Sequence, residues 1–286
     1  MEYKLGNLKL KNKIFLAPMH QINDIAFRML CKKAGAALTY TGLTNPQTRE
    51  KLYFNDKPAI QFACNSIKGI KEFIKKYDKN ISLYDFNLGC PSPHAKQSKI
   101  GYFMTDNLKV IEEILKEIKK YTKKPLTIKI RKMPLEKTQK IINIVEKYCD
   151  AIGVHPRTQI QGYSGIPDLE FAKEIKKLTK LPIIYSGNIK SKEEADEMLR
   201  EFNFIMMGRE AIGNPDIFSI STNKKIKGTK FKDWLKLTKK INPKTYLGQI
   251  RFQAINFTRD FEGASKTRQK LSLAKTEEEI LTIMNF

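Results

Sequence analysis

Chemically capable residues in this sequence follow short apolar runs. Cys90 stands between Gly89 and Pro91, just after Asp85-Phe86-Asn87-Leu88. A thiol in such a turn can face a ligand as a nucleophile or a proton donor, whereas thiols on helix faces are usually inert core groups. Lys129 lies within the run Thr127-Ile128-Lys129-Ile130. An ammonium there is costly unless it meets an anion, which is either a ligand or an internal carboxylate. Asn87 and Gln61 can hydrogen-bond the edge of a planar heterocycle, or equally satisfy backbone groups. Ser186-Gly187-Asn188 and Gly208-Arg209 combine bare backbone N–H groups with a guanidinium fork, the donor set a phosphate requires. Of the histidines, His20, His94 and His155, the last sits in His155-Pro156-Arg157 and suggests anion contact. Cys31, Cys64 and Cys149 have no C-x-x-C or Cys/His ligand spacing, so neither a disulfide framework nor a metal site is expected.

These groups need elements to carry them. Eight runs read as strands: Ile14–Ala17, Leu38–Thr41, Ala59–Phe62, Leu83–Asn87, Leu126–Ile130, Ala151–His155, Ile183–Ser186 and Phe204–Met207. Between them, apolar residues at i, i+3, i+4 and i+7 predict helices over Ile25–Ala34, Ile67–Lys76, Asn107–Lys120, Glu136–Tyr148, Leu169–Lys177 and Lys192–Glu201. Ser191 and Glu194 form a capping-box start for the last. The rhythm is that of an α/β protein built as a TIM (β/α)8 barrel followed by a small C-terminal helical domain. Catalytic residues of such barrels sit where the chemically capable groups fall here, after the strands. A doubly wound sheet competes, but the G-x-G-x-x-G turn of a dinucleotide-binding version is absent. The boundary is placed between a barrel at 1–218 and a helical segment at 219–286, which begins with the Lys-rich connector Asn223–Lys232.

The 286 residues contain 53 Lys and Arg against 30 Asp and Glu, a net charge of +23. With 41% hydrophobic residues the chain can build a core, which excludes a disordered basic tail. The last 68 residues hold 15 Lys and Arg and 6 Asp and Glu, net +9, against +14 over the first 218. Charge density therefore doubles in the helical segment, and a nucleic acid is the expected partner. The N-terminus lacks an apolar h-region and no apolar run reaches transmembrane length, so a cytoplasmic protein without membrane contact is expected.

Taken together, the motifs resemble the tRNA-dihydrouridine synthases, flavin enzymes that reduce uridine in tRNA. The segments that carry the resemblance are Leu16-Ala17-Pro18-Met19 with Asp24 and Phe27-Arg28, Ile60-Gln61, and Asp85-Phe86-Asn87-Leu88-Gly89-Cys90-Pro91. Thr127-Ile128-Lys129-Ile130-Arg131, His155-Pro156-Arg157-Thr158, Gln161, Tyr163, Gly165, Ser186-Gly187-Asn188-Ile189 and Met207-Gly208-Arg209 continue it in order.

The resemblance implies an FMN cofactor, NADPH or NADH as reductant and tRNA as partner; the cysteine and histidine spacing leads to the expectation of no metal, and a monomer is expected. Pro18, Met19 and His20 would contact the flavin ring, and Gln61 and Lys129 its pyrimidine portion. His155, Ser186, Gly187, Asn188, Gly208 and Arg209 would surround the ribityl phosphate. Asn87, Arg157 and Tyr163 would bind the substrate, and Cys90 would be the catalytic proton donor. The chain departs from the family pattern at His20-Gln21, at His94 in place of a lysine after the cysteine, and at Ser186-Gly187-Asn188. Two other readings compete: an FMN-dependent dehydrogenase of a free pyrimidine, of the dihydroorotate type, and an RNA-binding protein on a degenerate barrel. The first leaves the basic helical segment unexplained, and the second leaves Cys90, Lys129 and Arg209 unexplained.

Overall fold

The computed structural model describes residues 2–221, 228–259 and 261–285. The chain opens with an antiparallel hairpin, β1 (Tyr3–Leu5) and β2 (Leu8–Leu10), turned at Gly6 with φ +54°. Leu5 and Leu10 are buried with Phe15, Ala59, Leu83 and Ala151, residues near the strand starts, so the hairpin closes the end of the barrel opposite the candidate site.

Eight parallel strands then form a closed barrel: β3 (Ile14–Leu16), β4 (Leu38–Thr44), β5 (Ala59–Phe62), β6 (Leu83–Leu88), β7 (Leu126–Arg131), β8 (Ala151–His155), β9 (Ile183–Tyr185) and β10 (Phe204–Met207). All eight coincide with the expected runs to within a few residues. β4 is longer than its pattern indicates, and its register shifts between Tyr40 and Leu43. Gly42 lies in that irregularity. A Cβ there would stand 3.1 Å from His20 Cα and 3.2 Å from the Met19 carbonyl, so the glycine lets the loop after β3 press against β4.

The barrel's outer layer comprises α1 (Ile25–Ala34), α2 (Ile70–Tyr77), the short α3 (Pro93–Gln97), α4 (Leu108–Tyr121), α5 (Leu135–Val145), α6 (Leu169–Leu178) and α7 (Lys192–Glu201). The apolar stripe of α4 places Ile111, Ile114, Leu115 and Ile118 wholly out of solvent, each contributing about 1.5–3 kcal/mol. At α7, Ser191 Oγ accepts from Glu194 N at 3.2 Å as expected, but the Glu194 carboxylate accepts from Lys190 N rather than from the cap residue's N–H.

Among the described residues four α-helices follow: α8 (Phe231–Ile241), α9 (Leu247–Asn256), α10 (Ala264–Leu273) and α11 (Glu277–Ile283). Residues 223–227 of the expected connector lie outside the described residues. Phe231, Trp234, Ile250 and Phe257 share one buried cluster with Phe27 and Leu30 of α1. Trp234 Nε1 donates to both carboxylate oxygens of Asp24, the α1 N-cap, at 3.0 and 3.1 Å. The helical segment is thus joined to the barrel by a continuous apolar interface and by a buried polar contact.

Candidate active site

The strand C-terminal ends surround a cavity of about 460 Å³, within the size range of small-molecule sites. All the singled-out site residues line it: Pro18, Met19 and His20 after β3; Gln61 of β5; Asn87 and Cys90 at the end of β6; Lys129 of β7; His155, Arg157 and Tyr163 at and after β8; Ser186, Gly187 and Asn188 after β9; and Gly208 and Arg209 after β10. His94 does not line it and is exposed on α3.

Strand register explains the polar floor. Gln61 pairs with Asp85, and Asp85 with Thr127. The buried Asp85 carboxylate accepts from Gln61 Nε2 at 2.6 Å and from Thr127 Oγ1 at 2.5 Å. Gln61 Oε1 accepts from Asn87 Nδ2 at 2.7 Å. Asn87 Oδ1 in turn receives the backbone N–H groups of Gly89 and Cys90 at 3.1 and 2.8 Å. An acceptor at one end and backbone donors at the other fix both carboxamides, so the polar pattern offered to a ligand is set in advance.

Lys129 pairs with Asn87 on one side and Gly153 on the other. A Cβ at Gly153 would stand 3.2 Å from Lys129 Cγ, so the glycine leaves room for the lysine stem. Among the described residues no carboxylate lies within ion-pair distance of this ammonium, so the internal pairing entertained from sequence is not made. Burial and the neighbouring Arg131 lower its pKa to about 8, while the charge of Asp85 works against that shift. Burial raises Asp85 to about 6.

The β8–β9–β10 side gathers positive charge and hydrogen-bond donors into a cradle. His155 is held neutral, its pKa lowered to about 2 by burial and by the cations of Lys129, Arg131, Arg157 and Arg209. Asn188, in the left-handed region at φ +43°, accepts from Arg157 at 2.8 Å and from Arg209 at 2.6 Å through one oxygen. Arg157 is almost wholly buried and spends further donors on the Ser164 and Gly165 carbonyls, so it braces the loop after β8. Arg209 is exposed, binds the Tyr163 carbonyl at 2.9 Å, and keeps N–H groups in reserve. Gly187 permits close packing, since a Cβ there would meet Tyr185 Oη at 2.9 Å. Like charges so concentrated favour a bound anion, and the cradle fits the phosphate of the flavin mononucleotide that the resemblance implies.

Cys90 is the one partly exposed cysteine of the four, whereas Cys31, Cys64 and Cys149 are buried. Its Sγ lies 3.4 Å from Ser92 Oγ, and its carbonyl accepts from Tyr102 N at 3.1 Å. Gly101, at φ +62°, backs against it; a Cβ there would be 2.8 Å from the Cys90 carbonyl oxygen. The thiol is therefore fixed at the cavity wall beside Asn87 and can deliver a proton to a base lying there.

Sequence reading gave no role to Asp85, Thr127 or Arg131. The signal for the first two is polar residues at alternate positions in strands otherwise buried, here Asp85/Asn87 and Thr127/Lys129. Arg131 joins the Cys90 turn to the loop after β8 by bonds to the Gly89 and Gly162 carbonyls at 2.8 and 2.6 Å, which only the fold reveals.

Comparison with known proteins identifies the family of the chain. The family model for dihydrouridine synthase matches residues 15–285. The tRNA-dihydrouridine synthase B of Pasteurella multocida is 30% identical over 239 residues, covering 76% of this chain and 71% of the relative. A probable tRNA-dihydrouridine synthase of Aquifex aeolicus is 32% identical over 229 residues, covering 73% and 72%. Among solved structures, histamine dehydrogenase from Rhizobium sp. 4-9 superposes with a TM-score of 0.59 at 12% identity, over 89% of this chain and 49% of that one. That likeness concerns the fold alone, and this chain spans about half of that larger protein.

Proposed function

The chain belongs to the dihydrouridine synthase family, and from that premise we propose that it reduces the C5–C6 bond of specific uridines in tRNA, with FMN as its flavin and NADPH or NADH as reductant. The carrying observation is the gathering in one cavity of the Cys90 thiol and of the four cations around His155, the Lys129 ammonium and the guanidiniums of Arg131, Arg157 and Arg209. Family membership supports a flavin oxidoreductase; the donor set supports the mononucleotide form.

In this reading Ser186, Gly187, Asn188, Gly208 and Arg209 hold the cofactor phosphate, with His155 as a neutral partner. Pro18, Met19 and His20 wall the ring, and Gln61 and Lys129 bind its pyrimidine edge. When bound, the flavin supplies a hydride to uracil C6. Lys129 holds positive charge at the electron-rich edge, and Asn87 orients the uracil. Cys90 donates its Sγ proton to C5 as negative charge develops there, and water restores the thiol proton. The overall change balances as uridine, reduced nicotinamide and a proton giving dihydrouridine and oxidised nicotinamide.

The target base has to leave its stack to reach the cavity, at a cost of a few kcal/mol. Residues 219–286, as a basic helical domain, offset that cost by holding the phosphate backbone through counterion release. Among the described residues no helix is long and apolar enough to cross a membrane. We read the enzyme as a cytoplasmic monomer without a metal. The test is nicotinamide oxidation by FMN-reconstituted protein with unmodified tRNA against free uracil or orotate, followed by mapping of dihydrouridine. Turnover confined to the free bases would sink the tRNA reading in favour of a dihydroorotate-type dehydrogenase.

A further inference from the structure

The loop between β8 and α6 carries the two most exposed large apolar side chains among the described residues, Ile160 at 91% and Ile166 at 84%, with Tyr163 between them at 60%. Exposed loops normally bear polar residues and move, yet this one is braced. Arg131 donates to the Thr158 and Gly162 carbonyls, Arg157 to those of Ser164 and Gly165, and Arg209 to that of Tyr163. Arg131 and Arg209 also flank the Tyr163 ring, with their guanidinium carbons 5.3 and 5.8 Å from its centroid. Three guanidiniums thus hold the backbone of an apolar knuckle rigid at the mouth of the catalytic cavity.

The knuckle is a ridge between two hollows. Tyr163 lines the catalytic cavity, and Ile160 lines a second cavity of about 550 Å³ together with Leu135, Tyr102 and Phe171. Lys132, Asp168, Glu170 and Glu174 also line that second hollow. Every acid is paired, Asp168 with Lys132, Glu170 with Lys173 and Glu174 with Lys177, so Lys132 is already neutralised and offers a phosphate little. In a chain of net charge +23, whose surface attracts a polyanion, an apolar hollow whose charged groups are already paired admits the uncharged part of a nucleotide.

Resting on the tRNA reading, we propose that this ridge parts the target uridine from a neighbouring nucleotide. The uracil enters the catalytic cavity, Ile160 and Ile166 wedge into the gap, and the adjoining base lodges in the second hollow against Ile160 and Leu135. Apolar side chains inserted at a base step are a known way to hold nucleic acid open. A braced loop performs this with little ordering cost on binding.

The test uses FMN-loaded protein and tRNA transcripts with 2-aminopurine placed on each side of the mapped target uridine in turn. Wild-type protein brightens one of the two probes as that base leaves its stack. Ile160→Ser/Ile166→Ser and, separately, Leu135→Ser lose the brightening and about tenfold in kcat/KM for tRNA. Flavin content, flavin reduction by NADPH and the salt dependence of tRNA binding stay as in wild type, because no phosphate contact is touched. Wild-type brightening and turnover in both variants would overturn the ridge while leaving the tRNA reading intact. Absence of uridine reduction in tRNA by the wild type would defeat that reading itself. A wild-type dimer that the double variant splits would assign the ridge to a second copy of the chain and also overturn the proposal.

Discussion

Gln61 Nε2 donates to Asp85 Oδ2 at 2.6 Å across the β5–β6 seam, and this bond sets the direction of a second carboxamide, Asn87, one step further on. Removing the acceptor frees Gln61 to turn over, whereas an isosteric amide preserves an oxygen toward it. Asp85→Ala is therefore expected to fold, bind FMN several-fold more weakly and lose about 10–100-fold in kcat on tRNA, since misplaced orienting groups carry costs of that size. Asp85→Asn keeps most of the turnover. Steady-state kinetics with flavin titration separate the two, and equal behaviour of both variants would remove the orienting role.

Cys90 is expected to be the one thiol that reacts with a water-soluble disulfide reagent under native conditions. Burial pushes Cys64 up to about 12 and Cys31 and Cys149 well above the usual thiol value, so those three stay unreactive until unfolding. Cys90→Ala retains FMN and its reduction by NADPH but loses about 10²–10⁴-fold in turnover on tRNA, the usual worth of a positioned acid. Turnover at the wild-type level would exclude Cys90 as the proton donor.

The pair of opposed shifts in the cavity floor predicts a specific pH profile for the flavin-free protein. Asp85 titrates in the fold at about 6 rather than 3.8, so between those values the folded protein keeps a proton the unfolded chain has lost. Stability from this group therefore falls as pH rises from about 4 to 6 and stays lost above. Lys129 titrates at about 8 rather than 10.5, so the unfolded chain holds the extra proton and stability recovers as pH rises between those values. Thermal midpoints across pH should show Asp85→Asn without the lower descent and Lys129→Met without the upper recovery. Profiles parallel to wild type would refute both assignments.

These residues also show how far the chain is readable. The eight barrel strands were legible because β-branched runs alternate with helical spacing, and the glycine and polar groups after them mark the ligand end. The β1–β2 hairpin escaped notice, although Tyr3, Leu5, Leu8 and Leu10 alternate about a Gly6-Asn7 turn, because each strand has only three residues. The floor network escaped for a different reason. Gln61, Asp85 and Thr127 are distant in sequence and meet only through strand register. Arg157 was expected at the ligand, and it does line the cavity, but its donors go largely to loop carbonyls that no local pattern reveals.

The helical segment does more than add charge, because α9 and the turn after it hold two loops of the cavity. Gln249 Nε2 donates to the Gln21 carbonyl at 3.3 Å, and Gln253 Nε2 to the Ile22 carbonyl at 2.9 Å and to Asp24 at 2.6 Å. Arg259 donates to the Arg209 and Glu210 carbonyls at 3.2 and 3.0 Å and pairs with the Glu210 carboxylate. The loops so held are those after β3 and β10, which carry Met19 and Arg209. Gln253→Leu and Arg259→Ala are therefore expected to weaken FMN binding by about tenfold, equivalent to roughly 1.4 kcal/mol, even without tRNA present. Lys266→Ala, an exposed change on α10, should lower tRNA affinity and its salt dependence while leaving FMN binding alone. Flavin fluorescence titration and tRNA binding at two salt concentrations measure both effects. Wild-type FMN affinity in Arg259→Ala would confine the helical segment to holding RNA.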